Sequence, residues 1–273
     1  MSHVIDLNAY LRRLRYDGPL GVDLATLRAI TTAHVNAIPF ENLNPLLRLP
    51  VSLELADIER KLVHEHRGGY CFEQNGLLLA ALRALGYDAS GLIARVLWMK
   101  PEDAVVAQTH MLLRVELSGE SWLVDVGFGS MALSGALRLQ PDIAQPTGNE
   151  PFRLLQQRGD WRMQAQVKDE WRTLYRFDLQ PRPAIDYVVA NHYTSTYPES
   201  HFLHSLIMAR TLADRRLGLR NSEFVVHHTG GESVRRVLAG VDEIKQVMRD
   251  EFGIRLPVHP DLDRRLAELP AAE

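Results

Sequence analysis

The hydrophobic period of the chain changes once, and that change decides what it can fold into. Up to about residue 86, apolar residues recur at three- and four-residue intervals, the signature of one helix face. From Gly91 they come in short runs rich in Val, Leu and Ile, bounded by turn residues, which read as strands. Four helices are predicted first. Asp6 caps one with Leu7, Tyr10, Leu11 and Leu14 inward, ended by Gly18-Pro19. Asp23 caps the second, carrying Leu24, Leu27, Ile30 and Ile38 to a stop at Pro39. Ser52 caps the third, with Leu55, Ile58 and Leu62 on one face and Gly68-Gly69 closing it. The fourth starts near Cys71 and runs through Leu78, Leu79, Leu82 and Leu85 to Gly86.

The extended runs at 91–98, 110–117, 121–127, 152–156, 161–168 and 171–178 predict an antiparallel meander, a small barrel or curled sheet. Beyond it, 184–191 reads helical, 202–211 and 223–229 read extended, and 242–252 reads as a helix ended by Gly253. The tail after Pro257 is expected to pack on the surface. The expected fold is therefore α+β. It comprises an N-terminal helical bundle over 1–86, a central antiparallel β-barrel over 87–190 and a C-terminal α/β lid over 191–273.

Charge nearly cancels, with 31 Lys and Arg against 34 Asp and Glu. No strong field is left for a nucleic-acid backbone or an anionic membrane, so neither is an expected partner. The longest aliphatic run, 77–82, is far short of a membrane span. The first residues lack the apolar stretch of a secretory signal. One cysteine makes neither an internal disulfide nor a cysteine-rich metal site. A cytoplasmic chain, monomeric or homodimeric, is expected.

That one cysteine, Cys71, follows Arg67-Gly68-Gly69-Tyr70 and opens the fourth predicted helix. Unpaired N–H groups and the dipole at a helix start favour a thiolate, the nucleophilic form. Packing as a small buried apolar residue is the competing role, about equally weighted on these grounds. The second feature is a hairpin that folds back near Ser118-Gly119-Glu120 and brings His110 within about one pair position of Asp125. A bulge at Gly119 is expected to set the register. Asp125 is a carboxylate between Val124 and Val126 in an apolar strand, and a buried carboxylate needs a partner. Cys71, His110 and Asp125 together supply a nucleophile, a base and an orienting acid.

These segments resemble a known family. Residues 67–75 (RGGYCFEQN) are similar to the active-cysteine motif of the arylamine N-acetyltransferases, and 38–43 (IPFENL) to a segment upstream of it. Thr109-His110-Met111 and the run from Val124 to Gly129 match its histidine and aspartate segments, and 191–202 resembles a later region. The resemblance covers about residues 5–255. It implies a helical bundle, a β-barrel and a lid around a cysteine-protease-like Cys71-His110-Asp125 core. It also implies a ping-pong acetyl transfer from acetyl-CoA, through an acetyl-cysteine thioester, to arylamines, arylhydrazines and N-arylhydroxylamines. Acetyl-CoA would be a co-substrate, with no metal. By the same resemblance Phe40, Val96, Phe128 and Phe202 lie in segments that line the amine pocket. Core packing serves Phe40 and Val96 equally well. Thr109 would sit at the cleft mouth, and Gly127-Phe128-Gly129-Ser130 could form a backbone nest for a CoA phosphate, as could a plain strand-end turn.

Glu41 and Arg67 are candidates for a buried ion pair that fixes the Cys71 loop. The pairs His64/His66, His201/His204 and His227/His228 lack a matching carboxylate or thiolate cluster, so local hydrogen bonding is the better account of them. Two other uses of the same three residue types stay open at this level. They are an amide synthase closing an acyl chain onto an aryl amine, and a transglutaminase-like or papain-like hydrolase.

Overall fold

The structure, a computed structural model, describes residues 3–157 and 159–270. Helix α1 (Leu7–Leu14) and α2 (Leu24–Ala37) start where expected. The Asp6 carboxylate accepts from the Ala9 amide at 2.9 Å, and that of Asp23 from the Thr26 amide at 2.7 Å. A short strand β1 (Phe40–Glu41) and helix α3 (Leu43–Leu46) follow. Helix α4 (Leu55–Glu59) has Glu54, not Ser52, at its cap position, and it unwinds through a π-turn at Arg60–His64. The Ser52 hydroxyl accepts from the Glu54 amide at 3.2 Å, so it shapes the approach to the helix instead of capping it. Helix α5 (Cys71–Ala84) begins at the cysteine.

Eight antiparallel strands form the central sheet. They are β2 (Asp88–Val96), β3 (Gln108–Leu117), β4 (Glu120–Val124), β5 (Leu137–Arg138), β6 (Ala144–Gln145), β7 (Phe152–Gln157), β8 (Asp160–Val167) and β9 (Glu170–Phe177). Their order is β5-β4-β3-β2-β9-β8-β7-β6, so β5 and β6 are its two free edges. The Gln145 side chain bridges those edges. Its carbonyl accepts from the Arg138 amide at 2.8 Å, and its amide donates to the Arg138 carbonyl at 2.9 Å. The expected barrel is thus nearly closed, with one side chain standing in for a strand contact.

Helix α6 (Ala184–Thr196) leads to a second sheet of β10 (Ile207–Thr211), β11 (Arg215–Arg220), β12 (Glu223–His228) and β13 (Ser233–Val237), followed by α7 (Val241–Asp250) and α8 (Leu262–Ala267). Strand β1 pairs with β10, Phe40 opposite Ala209, so the second sheet gains its edge from the N-terminal third. Phe202 was expected in an extended run. It lies instead in a 3₁₀ turn at His201–Leu203, because Asn42 and Asn221 intercept the backbone up to Ile207 and delay the strand.

Three apolar clusters result. One joins α1, α2, α4 and α5 to the outer faces of β3 and β4. A second fills the barrel, and the third packs α3 against β10–β12, α7 and α8. No helix among the described residues is long and apolar enough to cross a membrane.

Candidate active site

Helix α5, the bulged start of β3 and the end of β4 meet at Cys71. The approach to the helix is fixed by buried charge. The Arg67 guanidinium donates to Glu41 Oε1 through Nε (3.0 Å) and Nη2 (2.7 Å), and Nη2 also reaches Asn44 Oδ1 at 3.0 Å. Lys61 Nζ donates to Glu73 Oε1 at 2.7 Å, and Glu73 Oε2 accepts from the Tyr70 amide at 3.1 Å. The expected Glu41–Arg67 pair is therefore present inside a larger group of two acids and two bases. Burial would raise the Glu41 carboxyl, but Arg67 and Lys61 override it and hold it below its ordinary value. At Glu73 burial wins over Lys61, and the carboxyl is held up. Gly68 has no room for a side chain, since a Cβ there would lie 2.2 Å from the Pro39 carbonyl oxygen.

Gln74 anchors the same loop from the helix side. Its amide donates to the carbonyls of Pro39 (2.8 Å) and Gly69 (3.2 Å), and its carbonyl oxygen accepts from His34 Nε2 at 2.7 Å. His34 Nδ1 accepts from the Tyr10 hydroxyl at 2.8 Å.

The hairpin that carries the other two residues turns in two residues, Ser118-Gly119, both at positive φ, with Leu117 opposite Glu120. No bulge occurs at Gly119. The register continues as Leu113 opposite Val124, which sets His110 two positions along from Asp125 on the same face. The bulge lies at the other end of β3. Ala94 pairs with His110 but Arg95 with Gln108, leaving Thr109 as the extra residue. The Cys71 Sγ lies 3.5 Å from the Thr109 carbonyl. A sharp bend beside the base is what a bulge supplies, and no residue type in this strand announces it.

His110 and Asp125 are both buried, and His110 Nε2 donates to Asp125 Oδ2 at 2.7 Å. Asp125 Oδ1 accepts from Asn75 Nδ2 and from the Gly127 amide, each at 3.0 Å. Nε2 being committed to Asp125, Nδ1 is the ring nitrogen left for exchange with the neighbouring Cys71. Burial alone would drive His110 down. The charge and hydrogen bond of Asp125, with a smaller contribution from Cys71, override it and hold the imidazole well above its ordinary range. At Asp125 burial is overridden in turn by His110, Asn75 and the Gly127 amide, and the carboxyl is held low. Gly127 must be glycine for closeness, because its Cβ would lie 2.6 Å from the Cys71 Cα.

The aromatic residues fall in two groups. Phe128 meets the His110 ring edge to face, centroids 5.1 Å apart, and Tyr175 covers it at 4.9 Å. Val96 pairs with Tyr175 across β2 and β9. Phe40 and Phe202 lie 6.1 Å apart, and Phe202 meets the ring of Tyr70, the residue before the cysteine, at 5.7 Å. A Cβ at Gly129 would lie 3.7 Å from the Phe40 ring, and this glycine begins a 3₁₀ turn at Gly129–Met131, in which Ser130 is exposed. Sequence reasoning missed Tyr175, Asn75, Gln74 and Asn191, whose side chain receives the Tyr70 hydroxyl. Tyr175 looks like any inward strand residue. Asn75 and Gln74 carried a signal, two amides on an otherwise apolar helix face that would need partners. No three His, Cys, Asp or Glu side chains among the described residues come together as a metal-holding group.

Comparison with known proteins supplies a context for this geometry. The sequence profile of an N-acetyltransferase family matches residues 23–260. The arylamine N-acetyltransferase of Mycolicibacterium smegmatis is 42% identical over 271 residues, 97% of this chain and 98% of that one. The arylamine N-acetyltransferase / N-hydroxyarylamine O-acetyltransferase of Salmonella typhimurium is 39% identical over 250 residues, 91% of this chain and 88% of that one. The structure of the Mycobacterium marinum arylamine N-acetyltransferase in complex with CoA matches with a TM-score of 0.93 at 38% identity. That match covers 97% of this chain and 99% of the other.

Proposed function

This chain belongs to the arylamine N-acetyltransferase family and is an acyltransferase, and from that premise we propose that it moves acetyl from acetyl-CoA to aromatic amines through a thioester on Cys71. The observation that carries the reading is a buried imidazole hydrogen-bonded to a carboxylate and lying beside the sole cysteine, the Cys-His-Asp arrangement that cysteine proteases also use.

In the first half-reaction the Cys71 sulfur attacks the thioester carbonyl. The Cys71–acetyl bond forms, the CoA–acetyl bond breaks, and the proton on His110 passes to the departing CoA sulfur. The amide of Cys71 opens α5 and has no acceptor within the helix, so it is available to the tetrahedral oxyanion. In the second half-reaction the amine nitrogen attacks the acetyl-cysteine. Neutral His110 takes the amine proton, the sulfur leaves, and an amide is released. Exchange between two thioesters is nearly balanced and amide formation is downhill, which makes the second half the committed one. Asp125 holds the imidazole tautomer throughout.

Phe128, Val96, Phe40 and Phe202 form the walls for the flat ring of the amine, with Tyr175 behind His110. Thr109, Gly129 and Ser130 face the CoA side. Arylhydrazines present the same nucleophile. N-arylhydroxylamines are acceptors by analogy with the second activity in the name of the Salmonella relative. Intact mass after mixing with acetyl-CoA tests the mechanism. An acetyl-sized increment on Cys71, removed by an added arylamine with appearance of the amide, is expected. An increment discharged by water alone, or none, overturns it.

A further inference from the structure

Lysine is almost never buried without a partner, yet Lys61 is buried behind the start of α5. It stands in the π-turn at Arg60–His64, where Lys61, Leu62 and Val63 are buried in succession, more than one face of an α-helix turns inward. Its Nζ donates to Glu73 Oε1 at 2.7 Å and lies 3.9 Å from Glu41 Oε1, the oxygen that also holds Arg67. Charges therefore alternate along one buried line, Glu73, Lys61, Glu41 and Arg67, and they cancel. Arg67 and Glu41 fix the loop before Cys71. Lys61 serves the other end of the line, where Glu73 lies in the first turn of α5, two residues after Cys71. Glu73 folds back so that Oε2 accepts from the Tyr70 amide at 3.1 Å. Gly69 makes room for it, since a Cβ there would lie 2.7 Å from that oxygen.

That carboxylate shares the helix start with two other anions. In the proposed mechanism the Cys71 thiolate and the tetrahedral oxyanion both depend on the unpaired amides and the dipole of α5. An unpaired carboxylate in the same turn would repel both. We propose that Lys61 is a positioning residue for acetyl transfer: by neutralising Glu73 it leaves the field of the helix start to the Cys71 sulfur and the oxyanion. The inference rests on the reading in which Cys71 is the nucleophile. Among the described residues, the ionisable groups that face Glu73 are Lys61 from the π-turn, Glu41 from β1 and the Tyr70 phenol just ahead of α5. Lys61 is the only cation in that set. His34 of α2 bonds the next residue, Gln74, and burial keeps its ring uncharged above about pH 4. Without Lys61, burial makes Glu73 take a proton in the neutral range, and a rise in pH then sets a lone negative charge beside the sulfur.

Single-turnover acetylation of Cys71 by acetyl-CoA, followed from pH 6 to 9 in the full chain, is the test. Wild type should be level over that range, since Glu73 stays paired and His110 keeps its proton. Lys61→Met should slow by about tenfold as pH rises and the lone Glu73 carboxylate ionises. Adding Glu73→Gln to that variant should make the profile level again, because the amide oxygen still accepts from Tyr70 and carries no charge. A Lys61→Met profile parallel to wild type overturns the proposal, whatever the loss in amplitude. So does a fall that persists in the double variant. Glu73→Gln alone covers the case in which Lys61→Met does not fold. It leaves one net positive charge behind α5, so the acid limb of Cys71 alkylation by iodoacetamide should move to lower pH, and an unmoved limb overturns the proposal. Wild type that takes no acetyl group overturns the nucleophile reading itself, whereas an acetylated wild type with parallel variants overturns the role of Lys61 alone.

Discussion

Asp125 makes three hydrogen bonds at 3.0 Å or less, and each comes from a different part of the site: the proposed base His110, helix α5 and its own strand end. In the proposed mechanism its charge is what keeps His110 in one tautomer and ready to hold a proton. Asp125→Asn keeps the shape and removes the charge. The amide also presents a donor where His110 needs an acceptor. By analogy with triads of this kind, the rate of Cys71 acetylation is expected to fall by about 10³–10⁴. Stopped-flow acetylation, with circular dichroism as the check on folding, measures it, and a loss of less than tenfold would remove Asp125 from the mechanism. The same pair predicts a pH dependence of stability. His110 is held above its unfolded value of about 6.5, so its contribution is complete below that pH and is lost as pH rises through the folded value. Asp125 is held low, so its contribution is present above its ordinary value and is lost as acid brings pH down through the folded one. Urea unfolding of wild type and His110→Gln at pH 6 and 9 should show wild type losing more stability over that interval.

At the scale of elements, the site depends on α1 and α2, which carry none of its three candidate catalytic residues. Tyr10 on α1, His34 on α2 and Gln74 on α5 form one buried chain that ends on the Gly69 carbonyl, two residues before the cysteine. Burial drives His34 down to about 4, against a hydrogen bond to Gln74 that favours the charged form. The unfolded chain binds a proton near pH 6.5 that the folded chain refuses, so stability falls as pH drops from there toward 4. The slope is at most about 1.4 kcal/mol per pH unit. His34→Gln should flatten it, read as the urea midpoint between pH 6.5 and 4.5, and an unchanged slope would acquit His34.

The helices themselves were legible because Asp6 and Asp23 are capping residues ahead of periodic apolar runs, and Gly68-Gly69 precedes Cys71. The cysteine, histidine and aspartate could be read because each is chemically conspicuous in its segment. The Thr109 bulge could not, since pairing register depends on a neighbouring strand and not on local composition. Nor could the two-residue strands Leu137–Arg138 and Ala144–Gln145, which are too short for any period and exist because they pair with β4 and β7. Phe202 read as strand because apolar density resembles one, while the Asn42 contacts that hold it in a turn span 160 residues.

Across the whole molecule, the N-terminal third and the second sheet share a seam, and Asn42 is its centre. Its amide donates to the carbonyls of Phe202 (2.9 Å) and Ser205 (2.7 Å), and its own carbonyl accepts from the Ile207 amide at 2.7 Å. A second tie runs from Arg216 to Glu150 and to the Ala132 carbonyl, joining β11 to the loops of the barrel. The chain therefore builds its proposed amine pocket from distant parts. Phe40 and Phe202 meet there only because this seam holds the 3₁₀ turn in place. Asn42→Ala leaves one amide and two carbonyls without that partner, at a cost of about 1–3 kcal/mol. The reacting residues do not touch Asn42, so acetylation of Cys71 by acetyl-CoA should keep its rate within a few-fold. The Phe202 wall should loosen, and the KM for a bulky arylamine should rise several-fold more than that for a small hydrazine. Single-turnover acetylation and steady-state transfer to the two acceptors separate these effects. An equal loss in both half-reactions would mean that the seam supports the nucleophile and not the pocket wall.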